Sequence, residues 1–332
     1  MTAVTLAGAE ADPRRRLKVL ASQEALLAVA VIVLAIAVGL YNPRFLAARN
    51  LSDVLLGNAY IAVAAVGMSM VIISGNIDIS VGALIGVLAT ISGTLAVNGA
   101  PIVVAWLAAV VAGILVMALQ GAIIAYLRIP AIVVTLGMLS ILKGGLISVT
   151  GGKWITDLPD SFHLADIELF GVLPFPVFLM ILVTVLAALW MRYSASGRAI
   201  YAVGGNAEAA RLCGISQPRT VVMVFALHGF FAGAAALLYA TQLRVIQSTV
   251  PPNLELTIIT AAVVGGVSIL GGVGTVIGST LAAVLIAEIA SALVFIDVSP
   301  YWIRAVQGVL ILVTVIADIL RRRRMAAGAR AP

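Results

Sequence analysis

The sequence predicts an all-α membrane protein, a polytopic bundle of about ten transmembrane helices. The chain of 332 residues is 62% hydrophobic and only 10% charged, and its mean hydropathy is +1.17. A soluble protein of this length could not cover its surface with so few charges. Apolar runs of about 20 residues recur along the chain, and a helix of this length crosses the hydrocarbon core of a bilayer.

Each apolar run predicts one span. Residues 1–22 form a polar, basic tail that we expect in the cytoplasm. The run that follows is longer than the 7–15 residues, roughly, of a signal-peptide core, so we interpret it as an uncleaved first span. A cleaved signal peptide is the alternative. The ten predicted spans cover residues 23–40, 51–74, 81–97, 102–126, 131–150, 174–191, 220–241, 255–269, 273–295 and 301–320, and a basic tail, 321–332, follows them.

The positive charges predict the orientation. Basic clusters lie at 14–18, in the loop 192–219 and at 321–324. Lys and Arg near span ends favour the cytoplasmic side, and an even number of spans places all three clusters on one side. The longest polar insertion, 151–173, is acidic, which is typical of the outer side. The net charge of +6 is therefore a topology signal and does not indicate nucleic-acid binding.

Several classes of chemistry lack their motifs in this sequence. No G-x-x-x-x-G-K-[ST] phosphate loop is present, so the chain has no visible means of binding or hydrolysing ATP. The two histidines are far apart and predict no metal site. Cys213 is the single cysteine, which excludes an intramolecular disulfide.

The loop 192–219 contains a predicted short helix outside the membrane. Asn206 can accept a hydrogen bond from the first turn of a helix over 207–213. Gly214 can end that helix, because glycine adopts the left-handed conformation without a Cβ clash. Such a helix between two spans is a docking element for a cytoplasmic partner. An ordinary basic loop with one helical turn is the alternative.

This loop also carries a family resemblance. Glu208-Ala209-Ala210, followed by Gly214, resembles the EAA-x-x-x-G coupling motif of the membrane subunits of ABC importers. The preceding stretch, 196–206, is similar to the version in the ribose/arabinose/galactose-type permeases. The stretches 75–82, 127–137 and 261–274 resemble other signatures of that family, with departures at Ile79 and Val133. The resemblance covers most of the chain, about 42–320.

The resemblance implies a permease domain over 23–320, similar to type II ABC importers, in the bacterial inner membrane. It implies a cytoplasmic ABC ATPase subunit that binds ATP, so that this chain needs no cofactor and is not itself an enzyme. It further implies a periplasmic or lipid-anchored sugar-binding protein and a second permease copy or sister permease. The residues that it assigns to ATPase coupling are Gly197, Arg198, Gly204, Asn206, Glu208, Ala209, Ala210, Arg211 and Gly214.

The expected substrate is a monosaccharide, such as a ribose-like pentose or a hexose. Autoinducer-2 and rhamnose permeases share the same motifs and are alternatives. An ion-coupled secondary transporter is the rival from a different class, with Asp78 and Glu288 as ion ligands, but it leaves the helix after Asn206 without a purpose.

Polar residues inside predicted spans are candidates for the translocation pathway, because such groups are expensive to bury in a membrane. They are Asn58, Asp78, Gln120, Glu288 and Gln307. Hydrogen bonding between helices is the alternative for each of them, and Asp78 can instead cap the third span. Two segments, 74–86 and 265–278, are similar to each other and suggest an internal duplication. The pairs Gly82/Gly86, Gly229/Gly233 and Gly274/Gly278 predict close helix packing.

Overall fold

The computed structural model describes residues 23–164, 167–169, 173–242, 245–248 and 253–328. The predicted tail 1–22 and the last four residues of the chain lie outside this part. The helices are α1 Gln23–Tyr41, α2 Ala48–Ile73, α3 Val81–Val97, α4 Ile102–Leu127, α5 Ala131–Thr150, α6 Phe175–Tyr193, α7 Ala195–Gly205, α8 Ala207–Leu212, α9 Gln217–Gln242, α10 Leu254–Val264, α11 Val276–Phe295 and α12 Ile303–Gly328. Short 3-10 helices occupy Pro43–Leu46, Asp160–Phe162 and Pro300–Trp302.

The predicted helical bundle is confirmed. Eight helices of the described residues are long and apolar enough to cross a membrane, and α3 and α10 are shorter apolar helices. These ten correspond to the ten predicted spans. The third and fifth predictions agree with α3 and α5 at both ends. The eighth was too long, because α10 ends at Val264 before Gly266, whose φ of +95° is incompatible with a continuing helix.

The core of the bundle is formed by α2 and α9. Almost every side chain of α2 from Ala59 to Ile73 is buried. Helix α9 lies against α4, where a β carbon at Gly229 would overlap the carbonyl of Gly113 and one at Gly233 would lie 2.7 Å from the Cα of Val110. The predicted packing role of Gly229 and Gly233 is thus confirmed, because only glycine allows this backbone approach.

The connections between helices lie at two ends of the bundle. At one end, which we call the β-hairpin end, strand β1 (Glu168–Leu169) pairs antiparallel with β2 (Leu173–Pro174). Ile155 and Ile246 exchange two backbone hydrogen bonds of 2.9 and 3.0 Å there. The other, the α7–α8 end, also holds the start of α1 and the end of α12. Gln23 there donates to the Val264 carbonyl (3.3 Å), and Ser268 donates to Asp318 (2.5 Å).

This arrangement agrees with the predicted topology, in which both termini and the loop 192–219 share one side. Helix α12 continues beyond the predicted end of the span at 320 and includes the four arginines at 321–324. The basic tail therefore begins as a helical extension of the last span.

Helices α3 and α10 both begin inside the bundle. Gly82, in the first turn of α3, faces the first turn of α10, since a β carbon at position 82 would lie 2.8 Å from the Glu255 nitrogen. From this meeting point α3 runs to the β-hairpin end and α10 to the α7–α8 end. At 1.5 Å per residue they are about 25 and 16 Å long, so each is an interrupted span.

Candidate functional site

The segment between α6 and α9 has the local structure that its sequence predicts. The Ser194 hydroxyl accepts a hydrogen bond from the Gly197 N–H (2.8 Å) and opens α7. The Asn206 side chain accepts from the Ala209 N–H (3.0 Å) and opens α8. Gly214, with φ of +81°, ends it. The Asn206 cap and the Gly214 stop are confirmed, and together they present α8 as a separate short helix.

The predicted coupling residues divide into two groups by exposure. Arg198, Asn206, Glu208, Ala209, Arg211 and Gly214 are exposed and can reach a partner. Gly197 and Ala210 are buried, and Gly204 is pressed against the membrane bundle. The inward group positions α7 and α8 on the bundle. A role of either group in ATPase coupling stays a prediction.

Helix α8 also exposes an apolar side chain that its sequence motif does not single out. Leu212 exposes 77% of its surface beside the exposed face of the helix. Single exposed apolar residues are common on protein surfaces, so Leu212 belongs to a partner surface only if α8 itself docks there. The motif directs attention to Glu208 through Ala210, whereas the position of Leu212 one turn later was the signal that could have found it.

The charges on α8 are paired with each other. Arg211 donates to both carboxylate oxygens of Glu208, at 2.5 and 3.1 Å. This interaction lowers the pKa of Glu208 and raises that of Arg211. Glu208 is also in the first turn of α8, where a negative charge complements the helix dipole. Both side chains are about two-thirds exposed. The pair therefore contributes little to the folding free energy, and its main effect is to fix the positions of the two charges on the surface of α8.

A cavity of about 1120 Å³ opens beside α8 at the same end. Its walls come from the loop after α2, the turn between α4 and α5, and the start of α9. Gly75, Arg128, Pro130, Arg211 and Gln217 are among its lining residues. The cavity therefore adjoins both the exposed helix and the first of two interrupted hairpins, which we define as α2–α3 and α10–α11 with their connecting loops.

A cluster of buried polar residues lies between α2, α3, α4 and α9. One oxygen of the Asp78 carboxylate accepts from the Ser80 N–H (2.8 Å), the Ser80 hydroxyl (2.6 Å) and the Gln120 amide (3.2 Å). Its other oxygen is 3.1 Å from Nε2 of His228. All four residues are fully buried. Asp78 thus binds the N–H of Ser80, the residue before α3, and joins this turn to α4 and α9. The first turn of α3 has no side-chain cap among the described residues, so the predicted capping of the third span by Asp78 is wrong.

The sequence did not single out His228, because its partner is 150 residues away in the chain. Nδ1 of His228 has no hydrogen-bond partner in the described part of the chain. It faces α2 at Gly67, where a β carbon would lie 2.6 Å from this nitrogen. The glycine makes room for the imidazole, whose Nε2 lies at hydrogen-bond distance from the Asp78 carboxylate.

The remaining candidate pathway residues do not join this cluster. Asn58 donates to the carbonyl of Val54 in its own helix (2.9 Å). Gln307 donates to Thr257 (3.2 Å) and links α12 to α10. Glu288 is 4% exposed, and its Oε2 has no hydrogen-bond partner among the described residues. Only Asp78 and Gln120 come together, and no continuous row of these side chains forms within one chain.

Comparison with known proteins identifies the family of this chain. A model of the family described as "Branched-chain amino acid transport system / permease component" matches residues 50–315. The chain belongs to this permease family. The autoinducer 2 import system permease protein LsrC of Enterobacter sp. (strain 638) is 35% identical over 278 residues, 83% of this chain and 81% of that protein. LsrC of Salmonella typhi is 34% identical over 298 residues, 90% of this chain and 86% of its own.

LsrC of Escherichia coli O9:H4 (strain HS) is 34% identical over 291 residues, which cover 87% of the permease and 85% of the relative. No solved structure matches the permease significantly. The chain is therefore the membrane permease subunit of an ABC importer and a multi-pass protein of the inner membrane. It is a transport component, and its membership of this permease family favours the importer over the ion-coupled rival.

Proposed function

We propose that this permease moves a small, uncharged, polyhydroxylated solute of the monosaccharide class, driven by a separate cytoplasmic ABC ATPase. The exposed helix α8, capped by Asn206 and ended by Gly214, supports the ATPase part of this proposal. A folded helix held outside the bundle offers a surface that a cytoplasmic partner can bind. ATP is bound by that partner, so the permease itself needs no cofactor.

The transport unit contains two permease chains, either two copies of this one or this chain and a sister permease. A periplasmic or lipid-anchored binding protein delivers the solute to the β-hairpin end. Closure of the ATPase moves α8, and the helices open alternately to the two sides. The pathway lies between the two permeases, which is consistent with the separate positions of Asn58, Glu288 and Gln307 in the described part of one chain.

Autoinducer 2 is the second candidate substrate, because the three relatives described above are named as permeases of an autoinducer 2 import system. Both candidates are small and rich in hydroxyl groups, and both suit a pathway without paired ion ligands. Selectivity between them is expected mainly in the binding protein.

The test is ATP-dependent uptake into proteoliposomes that contain the permease and the ATPase of the same transporter, with the binding protein added. Ribose, galactose and autoinducer 2 are compared in separate arms. Uptake of one of them that requires ATP supports the proposal. Uptake driven by an ion gradient without ATP would contradict it.

Ala209→Trp tests the role of α8, because residue 209 lies on its exposed face and outside every span. We expect uptake to fall at least about tenfold, together with loss of ATPase co-purification, since a loss of roughly 1.4 kcal/mol of binding is tenfold. Val309→Trp, on the exposed apolar face of α12, is the control and should transport normally. Full uptake and full ATPase binding by Ala209→Trp would exclude α8 as the docking element.

A further inference from the structure

Three backbone segments meet in van der Waals contact at the α7–α8 end. They are the last two residues of α7, the end of α2 with the loop after it, and the loop between α10 and α11. We call this contact the glycine joint and define it by Ile73, Gly75, Gly204, Gly271 and Gly272. The two loops belong to the two segments whose sequences resemble each other.

The joint has no space for a side chain at its centre. A β carbon at Gly204 would overlap the carbonyl oxygen of Ile73 and lie 2.9 Å from the Gly272 nitrogen. One at Gly272 would lie 2.6 Å from the Cα of Gly205. The Gly272 N–H donates to the Ile73 carbonyl at 2.8 Å, which ties the second loop directly to the end of α2.

A side-chain hydrogen bond attaches α7 to the loop between α10 and α11. The Tyr201 hydroxyl donates to the Gly274 carbonyl (2.9 Å). Burial raises the pKa of this phenol, so it remains a donor at neutral pH. Helix α7 therefore holds the second loop at two points, while Gly204 touches the end of α2.

Each loop leads into the next membrane helix, the first loop into α3 and the second into α11. The first loop continues to Asp78 and the start of α3. The second ends at Thr275, whose hydroxyl accepts from the Gly278 N–H (3.2 Å) and caps α11. Contacts made by backbone alone cannot be absorbed by a change of side-chain rotamer, so a displacement of α7 displaces both loops.

From this geometry we infer that the glycine joint transmits movement of the coupling segment simultaneously to both interrupted hairpins. Gly204, Gly272 and Tyr201 are positioning residues for transport, and they act without touching the solute or the ATPase. The inference rests on the proposed function, because it assigns to this contact the step between ATPase closure and the opening of the helices.

The first experiment compares neighbouring glycines by the number of solute molecules imported per ATP hydrolysed. Gly204→Ala should lower this ratio about tenfold, within the range over which residues along a coupling network act. Gly205→Ala is the matched control, because its β carbon would meet only the Cα of Gly272, at 4.0 Å. ATPase co-purification should be equal in both variants. Equal ratios in the two variants would overturn the inference.

Tyr201→Phe keeps the experiment decisive if Gly204→Ala does not fold, because it removes one hydrogen bond without adding volume. We expect the ratio of import to ATP hydrolysis to fall about threefold at unchanged thermal stability. A variant that loses stability but keeps the ratio would reduce the joint to ordinary helix packing, and this would also overturn the inference.

A second experiment needs only the permease and separates this inference from the proposed function. Amide hydrogen exchange at Gly272 should be about tenfold faster in Gly204→Ala than in Gly205→Ala, because the bond to Ile73 is opened. If the wild type imports no solute with its ATPase, the proposed function fails. If exchange at Gly272 is equal in the two variants, the joint itself fails.

Discussion

The two interrupted hairpins of this permease resemble each other in sequence, but their buried carboxyl groups differ in hydrogen bonding. In the first, α2 to α3, Asp78 is buried and hydrogen-bonded to Ser80, Gln120 and His228. In the second, α10 to α11, Glu288 is buried within α11 itself, and its Oε2 lacks a partner in the described chain. Two acidic residues that the sequence ranks together therefore have different physical roles.

The difference teaches that burial alone does not identify a pathway residue. A carboxylate with a full set of donors holds elements together, and removing it leaves those donors unpaired. A carboxyl without partners costs free energy in the folded bundle. Substitutions at the two sites should consequently differ in size and even in sign.

The largest effect is expected for Asp78→Ala. This change leaves the donors of His228, Gln120 and Ser80 buried and unpaired, which should cost about 3–5 kcal/mol of folding free energy. The measurement is the thermal unfolding of the purified permease in detergent. Asp53→Ala, at an exposed position of α2, is the control and should be nearly neutral. Equal destabilisation of the two variants would show that Asp78 holds nothing together.

Gly67→Ala should have the next largest effect and strike the same cluster from α2. The new methyl group would meet Nδ1 of His228 at 2.6 Å and Cβ of Phe231 at 2.9 Å. We expect a loss of about 1–3 kcal/mol, the usual cost of overpacking. Gly57→Ala, in the same helix with open space around it, should instead be neutral or stabilising by about 0.5–1 kcal/mol. If Gly67→Ala behaves like Gly57→Ala, the imidazole is not held against α2.

Glu288→Gln should have a small effect of the opposite sign. It removes a carboxyl that has no bonded Oε2 partner, so the melting temperature should stay unchanged or rise by about 0–3 °C. ATP-dependent uptake should remain within about twofold of the wild type. Loss of uptake, with transport in the wild type driven by an ion gradient, would restore the ion-coupled interpretation.

The smallest effect is expected outside the membrane, from acidification of α8. Arg211 lowers the pKa of Glu208, so the carboxylate stays charged as the pH falls from 7 towards its ordinary pKa. Its favourable interaction is fully present above that value and is lost only below the lowered pKa. Binding of the ATPase subunit at pH 5.5 and 7 should therefore be equal as far as Glu208 is concerned, and Glu208→Gln should remove no pH dependence. A pH dependence that disappears in Glu208→Gln would contradict this assignment.

The parts of the fold that depend on local sequence were predictable. Apolar length predicts the spans, and the Asn206 and Gly214 signals predict α8 because capping depends on neighbouring residues. The early end of α10 was not predicted, since an apolar composition continues beyond Val264 and conceals the turn at Gly266. The β1–β2 hairpin was also missed, because strands of two residues have no readable period.

The candidate site was predictable only in its exposed part. The motif directs attention to Glu208 and Ala209, but it also includes Ala210, which faces inward. Which face of a short helix is covered depends on tertiary packing rather than on the helix itself. The pairing of Asp78 with His228 and the glycine joint involve contacts between distant segments, and no local pattern encodes them.

The long separation of Asp78 from His228 has a consequence for biosynthesis. The two residues are 150 positions apart, and at 5–20 residues per second the ribosome needs roughly 8–30 s to cover that distance. Gln120, 42 positions after Asp78, arrives after roughly 2–8 s. During synthesis the aspartate must therefore wait in water or in the insertion machinery, first for an amide and then for an imidazole. The first hairpin enters the membrane early but becomes complete only when α9 has been made, so the nascent chain carries an unfinished polar site through nearly half of its synthesis.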